Sequence, residues 1–474
     1  MPRAASRTTN ILTLLRAFAK YKKYAIITNV TYTKTFAVLG LIGTLAASSA
    51  AVSHSAAQAV PVAPRHERHD SLARVAERLQ GRIERRFMKS PAIGTLVDAL
   101  SARRAAFARS ITVAFQDEAS GREISRWSVS LGRYPEWMAF DMQGGARFYI
   151  DETAIERTVL ESGPDGLSTP SFATVTETKE EGKIIRATID GSVSDGQLYN
   201  ASALVETVAG AFEGTADVAV FPVQHVEGAV LYNDGATTHV LHELGVGRSE
   251  FASSPWGRKQ NVRKAMNEKA NGVVIPRGAV FSYNDTLGGP ITYSRGWYDS
   301  LIIVNGRDLE PAPGGGICQS ATTVYRAAMA AGLPIVTRKS HSLYVSYYKQ
   351  YGVGMDATVF PGKQDMKFEN DTPGPIVLLG RTDDSDNAYS TIYGLDDDRV
   401  VSLEGPYFGY THKDPVMGRV LRNGEVAWIQ RVTKADGSVR EQLQVAQYSG
   451  LPKSVALEYE PMTHGAADLV AEAR

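Results

Sequence analysis

The stretch Pro313-Gly314-Gly315-Gly316-Ile317-Cys318-Gln319-Ser320 carries the chain's only cysteine, directly after three consecutive glycines. Glycine loses more backbone freedom on folding than any other residue, so this run indicates a tight turn or a close approach of the backbone to a ligand. Residues 320–331 predict a helix that ends at Gly332. Cys318 is therefore expected at a helix N-terminus, where unpaired N–H groups favour a thiolate. A buried, inert thiol is the alternative interpretation.

Two downstream residues are candidates to complete a catalytic site with this cysteine. His341 follows Cys318 by 23 positions, and Asp356 follows His341 by 15. A cysteine nucleophile needs an adjacent base, and a carboxylate on the far ring nitrogen orients a histidine base. Residues 343–348 and 357–360 predict neighbouring antiparallel strands that bring the histidine and the aspartate together. Cys318, His341 and Asp356 are the predicted catalytic residues, although each of them taken singly is more often structural.

Residues around the cysteine predict how a substrate would bind. Gly314, Gly315 and Gly316 would let substrate backbone approach the thiol. Gln319 could serve an oxyanion site through its amide or its backbone N–H. Tyr344 and Tyr347 would stack on sugar or peptide, although aromatic residues in strands more often pack in a core.

The segment His239-Val240-Leu241-His242-Glu243 has two histidines that could form a metal site. It matches neither H-E-x-x-H nor H-x-x-E-H, and no third ligand is evident. Surface histidines on a connector are the favoured interpretation, so neither a metal nor another cofactor is predicted.

Composition indicates a globular protein of two or three domains. The chain has 474 residues, 43% of them apolar, and 51 basic residues balance 51 acidic ones. The balanced charge gives no reason to expect a nucleic-acid partner, and a single cysteine excludes an intrachain disulfide.

The N-terminal segment 1–59 has the features of an export signal. Seven basic residues lie within the first 34 positions, and the first acidic residue is Glu67. An apolar run at 36–47 is followed by Ala57-Gln58-Ala59, a small-x-small cleavage pattern. A cleaved signal peptide and an uncleaved membrane anchor both fit. Either one places the mature chain outside the cytoplasmic membrane, with the membrane as a partner of this segment.

Three further segments flank the region of the cysteine. Residues 60–109 predict a linker and a basic amphipathic helix, which is either a membrane-surface helix or, as favoured, a helix with a solvated basic face. Residues 110–225 alternate strands and helices, typical of a small α+β module. In 386–474, Asn423-Gly424 and Asp436-Gly437 between alternating runs indicate β-hairpins of a C-terminal β-rich extension.

Several spaced motifs between 245 and 385 resemble the VanW family. They are Pro276-Arg277-Gly278-Ala279-Val280-Phe281-Ser282-Tyr283-Asn284, Gly314 to Gln319, Thr322-Thr323-Val324-Tyr325, Arg338 with His341-Ser342, Gly354-Met355-Asp356-Ala357-Thr358-Val359 and Phe368-Glu369-Asn370. The segment 110–225 is similar to a peptidoglycan-binding domain that often precedes this family. The resemblance implies a place in the bacterial envelope and an association with vancomycin-resistance clusters, and it leaves the reaction open.

The sequence therefore predicts an α+β protein whose VanW-like domain follows a smaller α+β module. The Cys-His-Asp order also resembles the transglutaminase-like cysteine core, a helix followed by antiparallel strands. Two functions stay open: a cysteine hydrolase or acyltransferase acting on amide bonds of peptidoglycan peptides, and a non-catalytic cell-wall-binding accessory protein. The expected partner is peptidoglycan or its stem peptides.

Overall fold

The computed structural model describes residues 72–87, 91–141, 147–304 and 308–465, which belong to one compact unit. The predicted export segment 1–59 lies outside these residues. Within them, no helix is long and apolar enough to cross a membrane.

A helical hairpin begins the described part of the chain. Helix α1 (Leu72–Phe87) packs on α2 (Ile93–Phe107) through Ala76, Ile83 and Leu96, as the apolar spacing predicts. The arginines on the opposite face of α1 are exposed: Arg74, Arg78, Arg82 and Arg85.

A four-stranded sheet and two helices follow. The sheet has the order β2-β1-β8-β7, and β3 and β4 form a separate two-stranded ribbon. Helices α3 and α4 begin after Asp151 and Asn200, whose side chains accept hydrogen bonds from first-turn N–H groups. Every strand and helix predicted for 110–225 is present. Their bounds are β1 (Ser110–Asp117), β2 (Glu123–Ser130), β3 (Met138–Asp141), β4 (Arg147–Ile150), α3 (Glu152–Glu161), β7 (Gly196–Leu198), α4 (Ala201–Glu213) and β8 (Val218–Val226).

A closed seven-stranded barrel lies at the centre of the fold. Its order is β10-β18-β17-β11-β6-β5-β9. The strands are β5 (Phe172–Glu181), β6 (Ile184–Asp190), β9 (Ala229–Asn233), β10 (Thr238–Glu250), β11 (Val273–Ile275), β17 (Ile376–Thr382) and β18 (Asn387–Gly394). The barrel therefore takes strands from both sides of the domain boundary predicted near residue 225.

Helix α7 (Ile317–Ala330) packs against the barrel and carries the cysteine. Gly245 and Gly247 of β10 allow the close contact, because a Cβ at either position would lie within 2.3 Å of α7 backbone atoms. The helix ends at Gly332, which has a φ of 66°, as predicted.

Short elements surround α7. Helix α5 (Trp256–Lys264) continues as a π-helix (Ala265–Ala270), and α6 (Tyr283–Leu287) follows β12. Strands β12 (Val280–Ser282), β15 (Ile335–Thr337) and β16 (Lys367–Glu369) form a three-stranded sheet. A two-stranded hairpin of β13 (Asp299–Val304) and β14 (Asp308–Pro313) leads into the glycine run.

The C-terminal segment forms a four-stranded sheet with the order β21-β20-β19-β22. Its elements are β19 (Val400–Phe408), β20 (Glu425–Thr433), β21 (Val439–Gln447), α8 (Lys453–Ala456) and β22 (Met462–Gly465). The predicted Asp436-Gly437 hairpin joins β20 to β21. Gln430 of β20 connects this sheet to the end of α7 by a hydrogen bond: its Nε2 donates to the carbonyl of Met329 at 2.9 Å.

The α+β class is confirmed, whereas the transglutaminase-like core is not. The strands predicted at 343–348 and 357–360 are wrong: the first segment contains a 3-10 helix (Ser346–Tyr351), and the second is irregular apart from a single bridge at Phe360. Side chains satisfy backbone groups here in place of a strand ladder: Thr322 bonds to Ala357 and the Cys318 thiol to Val359. Two buried arginines bond to carbonyls at the end of the first segment, between the two segments and on neighbouring strands. Arg326 donates to the carbonyls of Met355, Arg248 and Tyr348, and Arg338 donates to those of Asp356, Val445 and Gly354.

Candidate active site

The glycine run is a tight turn packed against the protein itself. Gly314 and Gly316 have φ values of 89° and 115°, a region that side chains strongly disfavour. A Cβ at Gly315 would lie 2.7 Å from the backbone of Ser300, and one at Gly316 would lie 3.1 Å from the Cγ of Arg258. All three glycines are buried, so the close approach that the sequence predicts is made by β13 and α5.

Cys318 is the second residue of α7, as the sequence predicts. It is partly exposed, whereas its neighbours Ile317 and Gln319 are buried. Its Sγ lies 3.4 Å from the carbonyl oxygen of Val359 and 3.5 Å from the N–H of the same residue. The first turn of a helix also leaves its N–H groups without intrahelical acceptors, so the thiol lies at a positively polarised end.

The structure brings His341 and Asp356 together with Cys318. The Nδ1 of His341 lies 2.5 Å from Oδ2 of Asp356, and the backbone N–H of His341 donates to the same oxygen at 2.8 Å. The imidazole is also hydrogen-bonded to the Cys318 thiol. Because Nδ1 faces the aspartate, Nε2 is the nitrogen that faces the sulfur. His341 is 8% exposed and Asp356 only 1%, so this chain of contacts is shielded from water.

Two further side chains hold the carboxylate of Asp356. The hydroxyl of Tyr448 donates to Oδ1, and Nη2 of Arg338 lies 3.4 Å from the same oxygen. Both Asp356 oxygens thus have donors, which fixes the orientation of the histidine ring. Tyr448 belongs to the C-terminal segment, so that segment contributes directly to the site.

The protonation of the site favours an imidazolium–thiolate pair. Burial opposes charge on His341, but its hydrogen bonds with Asp356 and Cys318 outweigh burial and raise its pKa to about 10. Burial also opposes the thiolate, yet the hydrogen bond and charge of His341, with a smaller effect of Arg258, lower the pKa of Cys318. For Asp356, the same histidine and Arg338 outweigh burial and hold its pKa well below the ordinary value. A low thiol pKa is the usual mark of a reactive cysteine.

Of the predicted substrate-binding residues, Tyr347 lies closest to an open surface. It is 47% exposed, and its hydroxyl accepts a hydrogen bond from Arg258 at 2.9 Å. Its ring packs at 4.7 Å on Tyr348, whose own ring lies 5.5 Å from that of His341. A cavity of about 420 Å³ lies beside Tyr347, with Glu250 on its wall.

Gln319 and Tyr344 do not point into the site. The Gln319 amide is fully buried, and its Nε2 donates to the carbonyl of Glu250 at 2.7 Å. Only its backbone N–H stays near the thiol, and that group donates to Gly316 at 2.9 Å. Tyr344 packs on Tyr448 at 6.0 Å, and its hydroxyl is buried.

The two histidines of the segment 239–243 lie on β10 of the barrel, not on a helix or a connector. Three residues apart, they point to opposite faces of the strand. The Nε2 of His239 lies 2.8 Å from Oδ2 of Asp234. In the described part of the chain, no group of three or more His, Cys, Asp or Glu residues is close enough to hold a metal ion.

Sequence reasoning missed the roles of Arg258, Arg338 and Tyr448. Arg338 lies three residues before His341 in the sequence, and this proximity is the feature that could have indicated its role. Tyr448 is 92 residues from Asp356, and no local pattern marks it. Arg258 lies on a helix that carries no recognisable motif.

The region around this site is similar to known proteins. Residues 257–393 match the family model described as VanW like protein. A protein of Bacillus subtilis (strain 168), described as "Uncharacterized protein YoaR", is 38% identical over 139 residues. The match spans 29% of this chain and 44% of that protein, less than half of its length. No solved structure matches the chain. The similarity of 110–225 to a peptidoglycan-binding domain stays a prediction.

Proposed function

The chain carries a VanW-like domain, and we propose that this domain is the core of a cysteine enzyme acting on amide bonds of peptidoglycan peptides, by hydrolysis or acyl transfer. One observation carries the proposal: the Cys318 thiol, partly open to solvent, is hydrogen-bonded to an imidazole that a buried aspartate orients. Nucleophile, base and orienting carboxylate are the three parts that covalent catalysis by cysteine requires.

In the proposed reaction the Cys318 thiolate attacks the carbonyl carbon of an amide. The negative charge that develops on the carbonyl oxygen would be stabilised by the positively polarised start of α7, with the backbone N–H of Cys318 as donor, because the N–H groups of Ile317 and Gln319 already donate to Gly314 and Gly316. The His341 imidazolium then donates its Nε2 proton to the departing amine, and a thioester remains on Cys318. Water or a second amine, deprotonated by the now neutral His341, releases the acyl group and regenerates the thiol.

The substrate class rests on the sequence and the cavity together. The basic and apolar segment 1–59 would export the chain or anchor it in the membrane, which brings the site to the cell envelope. There, peptidoglycan stem peptides are an abundant source of amide bonds. The cavity of about 420 Å³ beside Tyr347 has room for a few peptide groups, and it would hold a part of the peptide away from the reacting carbonyl, because neither Cys318 nor His341 lines it.

The proposal is tested by product analysis of purified cell wall treated with the chain. Wild type should release or exchange stem-peptide fragments, and Cys318→Ala should lower the rate by at least about a thousandfold because the nucleophile is lost. His341→Asn should have a similar effect. The matched control is His239→Asn, which removes a histidine that also contacts an aspartate, on the barrel and away from the thiol.

Two outcomes would overturn the proposal in different ways. Full activity of Cys318→Ala would place the chemistry elsewhere. If wild type and Cys318→Ala both bind cell wall tightly and neither changes the stem peptides of the wall, the non-catalytic accessory protein would be favoured.

A further inference from the structure

Arg258 lies over the start of α7, beside the thiol. It is half-buried, and its side chain packs against the buried turn at Gly316. One of its nitrogens, Nη2, donates to Oε1 of Gln319 at 2.9 Å and to the hydroxyl of Tyr347 at 2.9 Å. Gln319 directly follows Cys318, and the positive charge of Arg258 acts on the thiol. The guanidinium is thus held in one place next to the nucleophile.

The remaining donors of this guanidinium are unused. Among the described residues, neither Nε nor Nη1 of Arg258 has a hydrogen-bond acceptor, and no carboxylate forms an ion pair with this side chain. The neighbouring cations of α5 differ, because Lys259 and Arg263 both pair with Asp386. A partly buried arginine normally has an anionic partner, since its charge is costly to desolvate.

We propose that Arg258 is the specificity residue of the site and binds a carboxylate of the substrate next to the carbonyl that Cys318 attacks. The inference rests on the proposed function, because it assigns the substrate of that site. Nη2 is already bonded to Gln319 and Tyr347, so the unused Nη1 would donate a single charge-assisted hydrogen bond to the carboxylate. The substrate is therefore a peptide with a free carboxylate near the scissile bond, and the amidated form of that peptide is a poor substrate.

A pair of alkylating reagents tests the charge preference without any substrate. Iodoacetate carries a carboxylate, and iodoacetamide is a neutral molecule of nearly the same size. We expect Arg258→Gln to lower the ratio of their rates with Cys318 by about tenfold, the effect of one charge-assisted hydrogen bond. Any change in the thiolate fraction acts on both reagents and cancels in the ratio.

Controls separate charge recognition from packing. Arg258→Lys keeps the charge and should retain part of the preference for iodoacetate. Arg122→Gln removes an exposed arginine on the β1–β2 turn and should leave the ratio unchanged. An equal ratio in wild type and Arg258→Gln, with unchanged melting temperatures, would overturn the proposal and leave Arg258 as a support for Gln319 and Tyr347.

A peptide pair then locates the carboxylate. In the full chain carrying Cys318→Ala, a stem peptide with a C-terminal carboxylate should bind at least about tenfold more tightly than its C-terminal amide, and Arg258→Gln should abolish the difference. If tight binding depends instead on a side-chain carboxylate of the peptide, that result would also support carboxylate binding by Arg258. It would show that Arg258 binds the side chain and not the C-terminus. Equal binding of all these peptides would refute the inference, even if wild type turns them over and the proposed function stands.

Discussion

Replacing His341 with asparagine should raise the pKa of the Cys318 thiol and slow its alkylation at neutral pH. Asparagine has a similar size and can still hydrogen-bond to Asp356, but it carries no positive charge. Burial of the thiol, which raises its pKa, is then opposed only by the N–H of Val359 and the charge of Arg258.

The size of the expected change in the thiol pKa follows from the pKa of His341. Its pKa rises from 6.5 to about 10 in the folded protein, which corresponds to about 5 kcal/mol in favour of the imidazolium. Asp356 and Cys318 share that interaction, and the part that acts on the thiolate is one hydrogen bond to a charged group, which contributes about 1.5–3 kcal/mol. Its loss should raise the thiol pKa and lower the thiolate fraction at pH 7 by up to about 100-fold. A more basic thiolate is also more nucleophilic, so the net fall in rate should be about tenfold.

The assay is the rate of alkylation by iodoacetamide between pH 5 and 10. The midpoint of the pH profile should lie below the ordinary cysteine value in wild type and at a higher pH in His341→Asn. His239→Asn serves as the control and should leave the midpoint in place, and melting temperatures should verify folding. Identical midpoints in wild type and His341→Asn would refute the imidazolium–thiolate pair.

Three further substitutions test the support of the site. Tyr448→Phe removes a donor to Asp356 and should cost about 1–3 kcal/mol in urea unfolding, because a buried acceptor loses its partner; no change would mean that Arg338 alone holds the carboxylate. Arg338→Met removes donors from three backbone carbonyls and should lower the free energy of unfolding by about 3–5 kcal/mol. A loss below about 1 kcal/mol would argue against the role of Arg338 in supporting these carbonyls. Gly316→Ala, at a φ of 115°, should cost about 1–3 kcal/mol, and a melting temperature equal to that of wild type would contradict the observed turn.

The sequence was most informative where structure is local. The glycine run, the helix after it and the stop at Gly332 follow from the backbone preferences of single residues, and they placed Cys318 at a helix start. The choice of His341 and Asp356 rested on chemical roles, and the structure brings both to the thiol. Their strands were wrongly predicted because side chains such as those of Thr322 and Cys318 bond to the backbone there, and bonds from side chains to the backbone leave no periodic pattern in a sequence.

The pairing of strands that are distant in the sequence cannot be predicted from such local patterns. The barrel pairs β6 with β11, about 85 residues further along the chain, and β11 with β17 near residue 380, and nothing in these segments encodes those partners. The contact of Tyr448 with Asp356 likewise depends on how the C-terminal sheet docks on α7. The hairpin predicted at Asp436-Gly437 was correct, because a turn dipeptide and alternating residues suffice for it. The one predicted at Asn423-Gly424 was wrong, because this dipeptide ends the long connection between β19 and β20.

Intact-mass spectrometry of the chain incubated with stem peptides from purified cell wall tests the central claim most directly. A nucleophilic Cys318 predicts a mass increase equal to one acyl fragment, located on Cys318 by peptide mapping and absent from Cys318→Ala. The adduct should decay when hydroxylamine cleaves the thioester. Turnover of the peptides without an adduct on Cys318, or an adduct that persists in Cys318→Ala, would contradict the account.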